Sequence, residues 1–429
     1  MTAYEKMTIE ELKAEQKALS KKYGELKSQG LSLDMSRGKP STDQLDLSDD
    51  ILTNVSSTKD AFTPSGTDVR NYGVLDGLPE CRQLFADLLE VDVKNVIMDG
   101  NASLRVMFDY ITQCMLPNAL DDGWLAEGKP IKFLCPCPGY DRHFAILDYY
   151  HIEMISIDMY DDGPDIEQIK EAIKDEQVKG MFCVPKYSNP TGCTYSDEKV
   201  KAIAALKPAA KNFRVIWDNA YIIHDLVEED EADKLLNIFP EAYKNGTEDM
   251  FFEVCSTSKI TFSGAGVSAI AASERNIQAI LERMGRQFIS NDKINQLRHI
   301  RFLKDIDTLK AHMAKHRAIL APKFKAVDKA FCEGFSESGI ATWSKPKGGY
   351  FINLDIMDGT AKRCAELCKE AGVTLTAPGA PFPYGKDPRD RNIRVAPSYP
   401  TPEELEISAE ILVISARLAA IEKLLEKIG

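Results

Sequence analysis

The sequence predicts an α/β protein: a large, mostly parallel sheet flanked by helices, followed by a smaller α+β unit. Three observations carry this. Six short apolar runs lie between about residue 95 and residue 272: IKFLC (131–135), IEMISI (152–157), KGMFCV (179–184), FRVIW (213–217), FFEVC (251–255) and VSAIAA (267–272). They are almost continuously apolar and bounded by turn residues, as strands covered on both faces are. Helical stretches separate them, which implies βαβ units and parallel pairing. Towards the C-terminus the pattern shifts to short strands (348–355, 373–377, 392–396) interleaved with helices (360–371, 402–426), an α+β arrangement.

The remaining elements follow in order. Residues 8–28 open with Thr8 and carry Glu11 three positions later, a capping-box pattern. Leu12, Leu19 and Leu26 recur every seven residues among charges, so this segment is an amphipathic helix expected to pack on the outside of the main body. Residues 275–335 are long and helical, with Leu, Met and Phe among many Lys and Arg, and connect the sheet unit to the second one. There is no internal repeat and no low-complexity tract.

Composition bounds the function. The chain has 429 residues, 53 basic against 66 acidic, and a net charge of −13, which is ordinary for a soluble protein of two or more domains. An acidic balance argues against nucleic acid as a partner. No apolar stretch approaches the roughly 18 residues of a membrane span, and the charged N-terminus lacks the apolar core of a signal peptide. The ten cysteines show no C-x-x-C spacing, so they are expected to be reduced thiols of a cytoplasmic protein.

The chemistry concentrates where the runs end. Lys259 follows the strand FFEVC within Cys255-Ser256-Thr257-Ser258-Lys259. A lysine at a strand end among small hydroxyls is either solvated or held to form a Schiff base, its neighbours then binding a phosphate. Asn189, in Asn189-Pro190-Thr191-Gly192, follows KGMFCV, and Asp218 with Tyr221 follows FRVIW. Taken singly these read as a turn, a helix cap with a buried tyrosine, and a solvated lysine. Together, at three successive strand ends where such sheets bind ligands, they define a site.

In this order the motifs resemble those of the fold-type I, pyridoxal-phosphate-dependent aminotransferases of class I/II, over roughly residues 35–415. The resemblance implies a seven-stranded, mostly parallel sheet in a large cofactor-binding domain (51–305), a small C-terminal domain (306–429), and an N-terminal helix and arm (1–50) that joins the small domain. It implies that Lys259 forms the Schiff base, Asp218 pairs with the pyridinium nitrogen, and Asn189 and Tyr221 hydrogen-bond the phenolic oxygen. Tyr140, in Pro138-Gly139-Tyr140, matches the aromatic that stacks on the ring. Asn101, Ala102 and Ser103 open a helix that binds the phosphate, with Ser256 and Ser258. Tyr72, in Asn71-Tyr72-Gly73, matches the tyrosine that reaches the neighbouring subunit's phosphate, so the resemblance implies a homodimer with shared sites. Arg394, in Asn392-Ile393-Arg394-Val395-Ala396, matches the arginine that grips the substrate α-carboxylate.

The segments Ser36-Arg37-Gly38-Lys39-Pro40, Pro138–His143, Ser258–Val267 and Phe382–Pro388 are most similar to a bacterial aspartate aminotransferase subgroup. That implies ping-pong transfer of an amino group between an amino acid, expected to be aspartate or glutamate, and a 2-oxo acid. Transamination of alanine or another amino acid, and lyase chemistry on the same fold, are the alternatives; a cofactor-sensing regulator has too little chain before residue 36. Gly38, Asn189 and Arg394 are expected at the substrate. Arg37, Arg142 and Lys293 are candidate cations for a side-chain carboxylate. One departure stands out: where many family members place a phosphate-binding arginine eight positions after the lysine, this chain has Val267. Gly264-Ala265-Gly266 with Ala269 fits a dinucleotide pattern but leads into an apolar run rather than a helix. His312 and His316 share a helix face among basic neighbours, so no metal site is expected.

Overall fold

The computed structural model describes residues 3–336 and 338–428. Eight strands form the large sheet, in the spatial order Val96–Met98, Ser268–Ala272, Phe251–Ser256, Arg214–Asp218, Val178–Cys183, Lys132–Cys137, Glu153–Tyr160, Gly163–Pro164. The five from Phe251–Ser256 to Glu153–Tyr160 are mutually parallel. Ser268–Ala272 pairs antiparallel with both its neighbours. Each predicted apolar run is a strand. The expected count of seven becomes eight because the chain turns back after Tyr160 and adds the two-residue edge strand Gly163–Pro164. A Gly-Pro pair has no apolar run to announce it, and an edge strand tolerates a proline because its missing N–H leaves no ladder bond unmade on the open side.

Side chains alternate across the sheet. Leu134, Met181, Val215, Trp217 and Phe251 enter one buried cluster, while Phe133, Phe182, Ile216 and Phe252 enter another on the opposite face. Both faces are therefore covered, which is why the strands read as continuous apolar runs.

The N-terminal helix spans Ile9–Lys27, and its capping box is formed: the Glu11 amide donates to Thr8 Oγ1 at 3.2 Å and the Thr8 amide to Glu11 Oε2 at 2.7 Å. Leu12, Leu19 and Leu26 are buried against the C-terminal helix Pro402–Ile428 and share one apolar core with residues of the C-terminal part. The Tyr23 hydroxyl donates to the Leu367 carbonyl at 2.8 Å, and Arg417 pairs with Glu15. Strand Leu33–Asp34 then pairs in parallel with Val373–Thr374. Helices Glu274–Gln287, Lys293–Leu303 and Ile306–Phe335 lead from the large sheet to a three-stranded antiparallel sheet of Thr342–Trp343, Ile352–Asp355 and Asn392–Val395. Among the described residues no helix is long and apolar enough to cross a membrane.

Candidate active site

Parallel strands aim their carboxyl ends at one edge of the sheet, and the three motif-bearing ends meet there. Asp218 is the last residue of Arg214–Asp218. Strand Phe251–Ser256 runs directly into a 3-10 turn, Thr257–Lys259. Asn189 lies in the loop after Val178–Cys183. All three line a cavity of about 460 Å³ together with Tyr140, Tyr221, Ser103, Gly38, Arg37, Arg142 and Arg394.

Asp218 is 2 % exposed. Its Oδ2 is 2.9 Å from His143 Nε2, whereas its Oδ1 is buried with no hydrogen-bond partner among the described residues. The His143 ring is held by stacking on Phe182, with centroids 4.2 Å apart and planes 8° from parallel. The Lys259 amine lies 4.9 Å from the Tyr221 ring centre, and the Tyr350 hydroxyl donates to the Lys259 carbonyl at 3.3 Å. Removal from water draws the Lys259 amine below the ordinary lysine range, while the Asp218 charge acts in the opposite sense. Burial, seconded by Asp218, pushes the Tyr140 hydroxyl up to about 12. Burial also pushes Tyr221 well up. Both phenols therefore keep their protons at neutral pH and act as donors.

On the cavity's other flank, Ala102 is the residue before the helix Ser103–Met115 and Ser103 its first residue. A short backbone brings this helix start to the lysine loop: a side chain added to Gly266 would lie 3.0 Å from the Asn101 carbonyl and 3.2 Å from the Ser258 amide. Ser256 Oγ donates to Ser258 Oγ at 3.1 Å. The structure thus gathers Asn101, Ala102, Ser103, Ser256 and Ser258 beside a helix N-terminus, the serines supplying hydroxyls and Ala102 only its backbone. Val267 is buried there, its amide donating to Thr257 Oγ1 at 3.0 Å, and Thr257 is in turn braced by His299. Residue 266 is followed by strand Ser268–Ala272 and not by a helix, so the Gly264–Ala269 segment is a strand approach and not a dinucleotide loop.

The cations divide. Arg394, 7 % exposed, donates from Nη1 to Asp141 Oδ1 at 2.6 Å and to Asn189 Oδ1 at 3.5 Å, and from Nε to Thr376 Oγ1 at 3.3 Å. The Phe351 ring lies 5.0 Å from its guanidinium carbon. Gly38 packs so closely on Phe351 that a side chain at 38 would collide with the ring. Arg37 and Arg142 line the cavity and make no ion pair among the described residues. The structure does not bring Lys293 to this cavity: its ammonium donates to the carbonyls of Asn71 (2.5 Å) and Gly73 (2.7 Å). It thereby fastens the loop that presents Tyr72, which is 76 % exposed and outside its own chain's cavity. His312 and His316 both hydrogen-bond the Ile260 carbonyl, at 2.7 and 3.0 Å, next to the lysine.

A desolvated amine facing a buried carboxylate at the carboxyl edge of a parallel sheet is the framework of an enzyme that works through a carbonyl cofactor, a pyridoxal-phosphate-dependent transaminase. The profile of the family described as aspartate amino-transferase matches residues 7–428. The chain belongs to that family. An aspartate aminotransferase of Corynebacterium glutamicum is 44 % identical over 406 residues, covering 94 % of this chain and 93 % of that one. A Mycolicibacterium smegmatis protein named as an aminotransferase is 44 % identical over 427 residues, covering 99 % of each. The crystal structure of an aspartate transaminase from Corynebacterium glutamicum superposes with a TM-score of 0.94 at 42 % identity, covering 98 % of this chain and 99 % of that one.

Two contacts lay outside the sequence reading. Asp141 sits inside the quoted Pro138–His143 segment, but its pairing with Arg394 spans 253 positions. Phe351 carried no signal beyond its strand. For His143, three residues after Tyr140, the sequence left a pocket role and a structural role open; its ring contacts Asp218.

Proposed function

We propose that the enzyme transfers the amino group of aspartate or glutamate to a 2-oxo acid, 2-oxoglutarate or oxaloacetate, in two half-reactions at one site. One observation carries this reading. Arg394 faces a cavity that also holds two guanidiniums, Arg37 and Arg142, without ion pairs among the described residues. One arginine accounts for an α-carboxylate, and a dicarboxylic amino acid needs a second cation for its side chain. The likeness to the Corynebacterium glutamicum aspartate aminotransferase supports the same substrate.

The residues present fit the cofactor, because the buried, unpaired Asp218 Oδ1 is the partner a protonated ring nitrogen requires. Pyridoxal phosphate, when bound, supplies the electron sink for the bond broken at the substrate α-carbon and carries the amino group between half-reactions. Asp218, oriented by His143, keeps the proton on the ring nitrogen. Asn189 and Tyr221 donate to the phenolic oxygen, and Tyr140 stacks on the ring. Asn101, Ala102, Ser103, Ser256 and Ser258 take the phosphate. The Lys259 amine holds the cofactor and, once freed, takes the α-proton as general base, for which its lowered basicity suits it. Gly38 leaves room for Phe351 to support Arg394.

The assembly is read as a homodimer in which each exposed Tyr72 completes the other subunit's site. Its exposure, on a loop fastened by a buried lysine, supports this. A cytoplasmic setting is supported by ten cysteines that are all free thiols. The test is a half-transamination screen read by absorbance of the bound cofactor. Aspartate and glutamate are expected to convert it fastest; faster conversion by alanine or an aromatic amino acid overturns the substrate assignment. Arg37→Ala or Arg142→Ala should raise KM for aspartate strongly and for alanine little.

A further inference from the structure

We propose that Asp141 is a resident competitor for Arg394: its carboxylate occupies the guanidinium until an incoming α-carboxylate displaces it, so that Asp141 sets the affinity for every substrate. This rests on the reading of Arg394 as the α-carboxylate anchor.

The two partners differ in freedom. The Arg394 side chain is 7 % exposed and is fixed by Thr376, Asn189 and the face of Phe351, whereas the Asp141 side chain is 30 % exposed at the cavity. The arginine is therefore the built part of the site and the aspartate the part that can swing. The 2.6 Å contact is a charge-assisted hydrogen bond to a buried guanidinium. It engages Nη1, while Nε is engaged by Thr376. A carboxylate gripped bidentately needs two N–H groups on one side of the guanidinium, and each pair that includes Nη2 has its other nitrogen already engaged. A second carboxylate added beside Asp141 would also share one positive charge with it, and like charges at that range repel. Displacement resolves both conflicts. It does not strand Asp141, because Arg37 and Arg142 line the same cavity and form no ion pair among the described residues.

The rival arrangement keeps Asp141 in place as a permanent orienting partner of Arg394, and it predicts an effect of opposite sign. The experiment compares wild-type holoenzyme with Asp141→Asn, Asp141→Ala, Arg394→Ala and the double variant Asp141→Asn/Arg394→Ala. The readouts are KM and kcat for aspartate and alanine, and Kd for succinate, which has no amino group to react. Displacement predicts that Asp141→Asn lowers KM for both amino acids by a common factor of about tenfold, leaves kcat within about twofold, and tightens succinate binding. In the Arg394→Ala background the same substitution should do nothing. A rise in KM on removing the carboxylate overturns the proposal, since Asp141 is then a positioning residue. A gain confined to aspartate also overturns it, because Asp141 would then be opposing the side-chain carboxylate. If Arg394→Ala leaves both KM values and succinate binding unchanged, the anchor assignment itself fails, separately from any effect at Asp141.

Discussion

His143 Nε2 lies 2.9 Å from Asp218 Oδ2, with each side chain 3 % exposed, so one carboxylate oxygen is committed to the protein and the other is buried without a partner among the described residues. The histidine ring is stacked on Phe182. We predict that His143→Ala lowers kcat by about 10- to 100-fold, the cost of a hydrogen bond to a buried charge, with a much smaller change in KM. The bound cofactor's absorbance should titrate differently, and His143→Gln should recover part of the loss. Unchanged absorbance and kcat would show that Asp218 needs no help.

Lys259→Ala should abolish turnover, and borohydride should fix the cofactor of the wild type to Lys259 and to no other lysine, as peptide mapping would report. The pH dependence has a definite sign. Burial draws the amine below the ordinary lysine range and Asp218 opposes this. Uptake of pyridoxal phosphate by the apoprotein should therefore rise with pH through a midpoint below that of a surface lysine. In Asp218→Asn the opposing charge is gone, and the midpoint should move lower still; a higher midpoint would exclude any action of Asp218 on the amine. Turnover of that variant should fall by orders of magnitude while some cofactor stays bound.

Mixing a Tyr72→Ala variant with a Lys259→Ala variant tests the shared site. Random exchange makes half of the dimers mixed, and each mixed dimer has one site with both residues, so about a quarter of the sites should recover. No recovery under conditions where subunit exchange is demonstrated, or full activity of a monomer, would refute the arrangement.

Glu253 tests the sheet beneath the site. It is 3 % exposed, accepts from Asn219 Nδ2 at 2.8 Å, and burial raises its carboxyl from 4.5 to about 7. A raised folded-state value means that stability is fully present below pH 4.5 and is lost as pH rises through about 7. The loss is on the order of 3 kcal/mol. Glu253→Gln keeps an acceptor for Asn219 and removes the charge. It should match wild type in Tm at pH 5 and exceed it by a few degrees at pH 8. A lower Tm at pH 8 would show that the carboxylate is stabilising there.

Much of this was legible because buried parallel strands write themselves as apolar runs, and because the reactive groups follow those runs directly. Asn189, Asp218 and Lys259 each follow such a run, which puts them at one edge from the sequence alone. What escaped was pairing over distance. Nothing local in the sequence joins Asp141 to Arg394, or Gly38 to Phe351. Lys293 stood among the candidate cations because its partners are backbone carbonyls, which every residue has and no sequence pattern marks. The Gly163–Pro164 strand is two residues long and carries no periodicity.

The N-terminal helix has a consequence for biosynthesis. Leu12, Leu19 and Leu26 share one apolar core with Leu405, Leu412 and Leu424, and Glu15 pairs with Arg417. The large sheet, by contrast, is complete once residue 272 has been made. On the ribosome the sheet can close while the helix Ile9–Lys27, already exposed, has an apolar face whose helical partner, residues 402–428, is still to emerge. Residues 9–27 are thus made before the sheet and buried after it, and their closed capping box favours the helix in the interval.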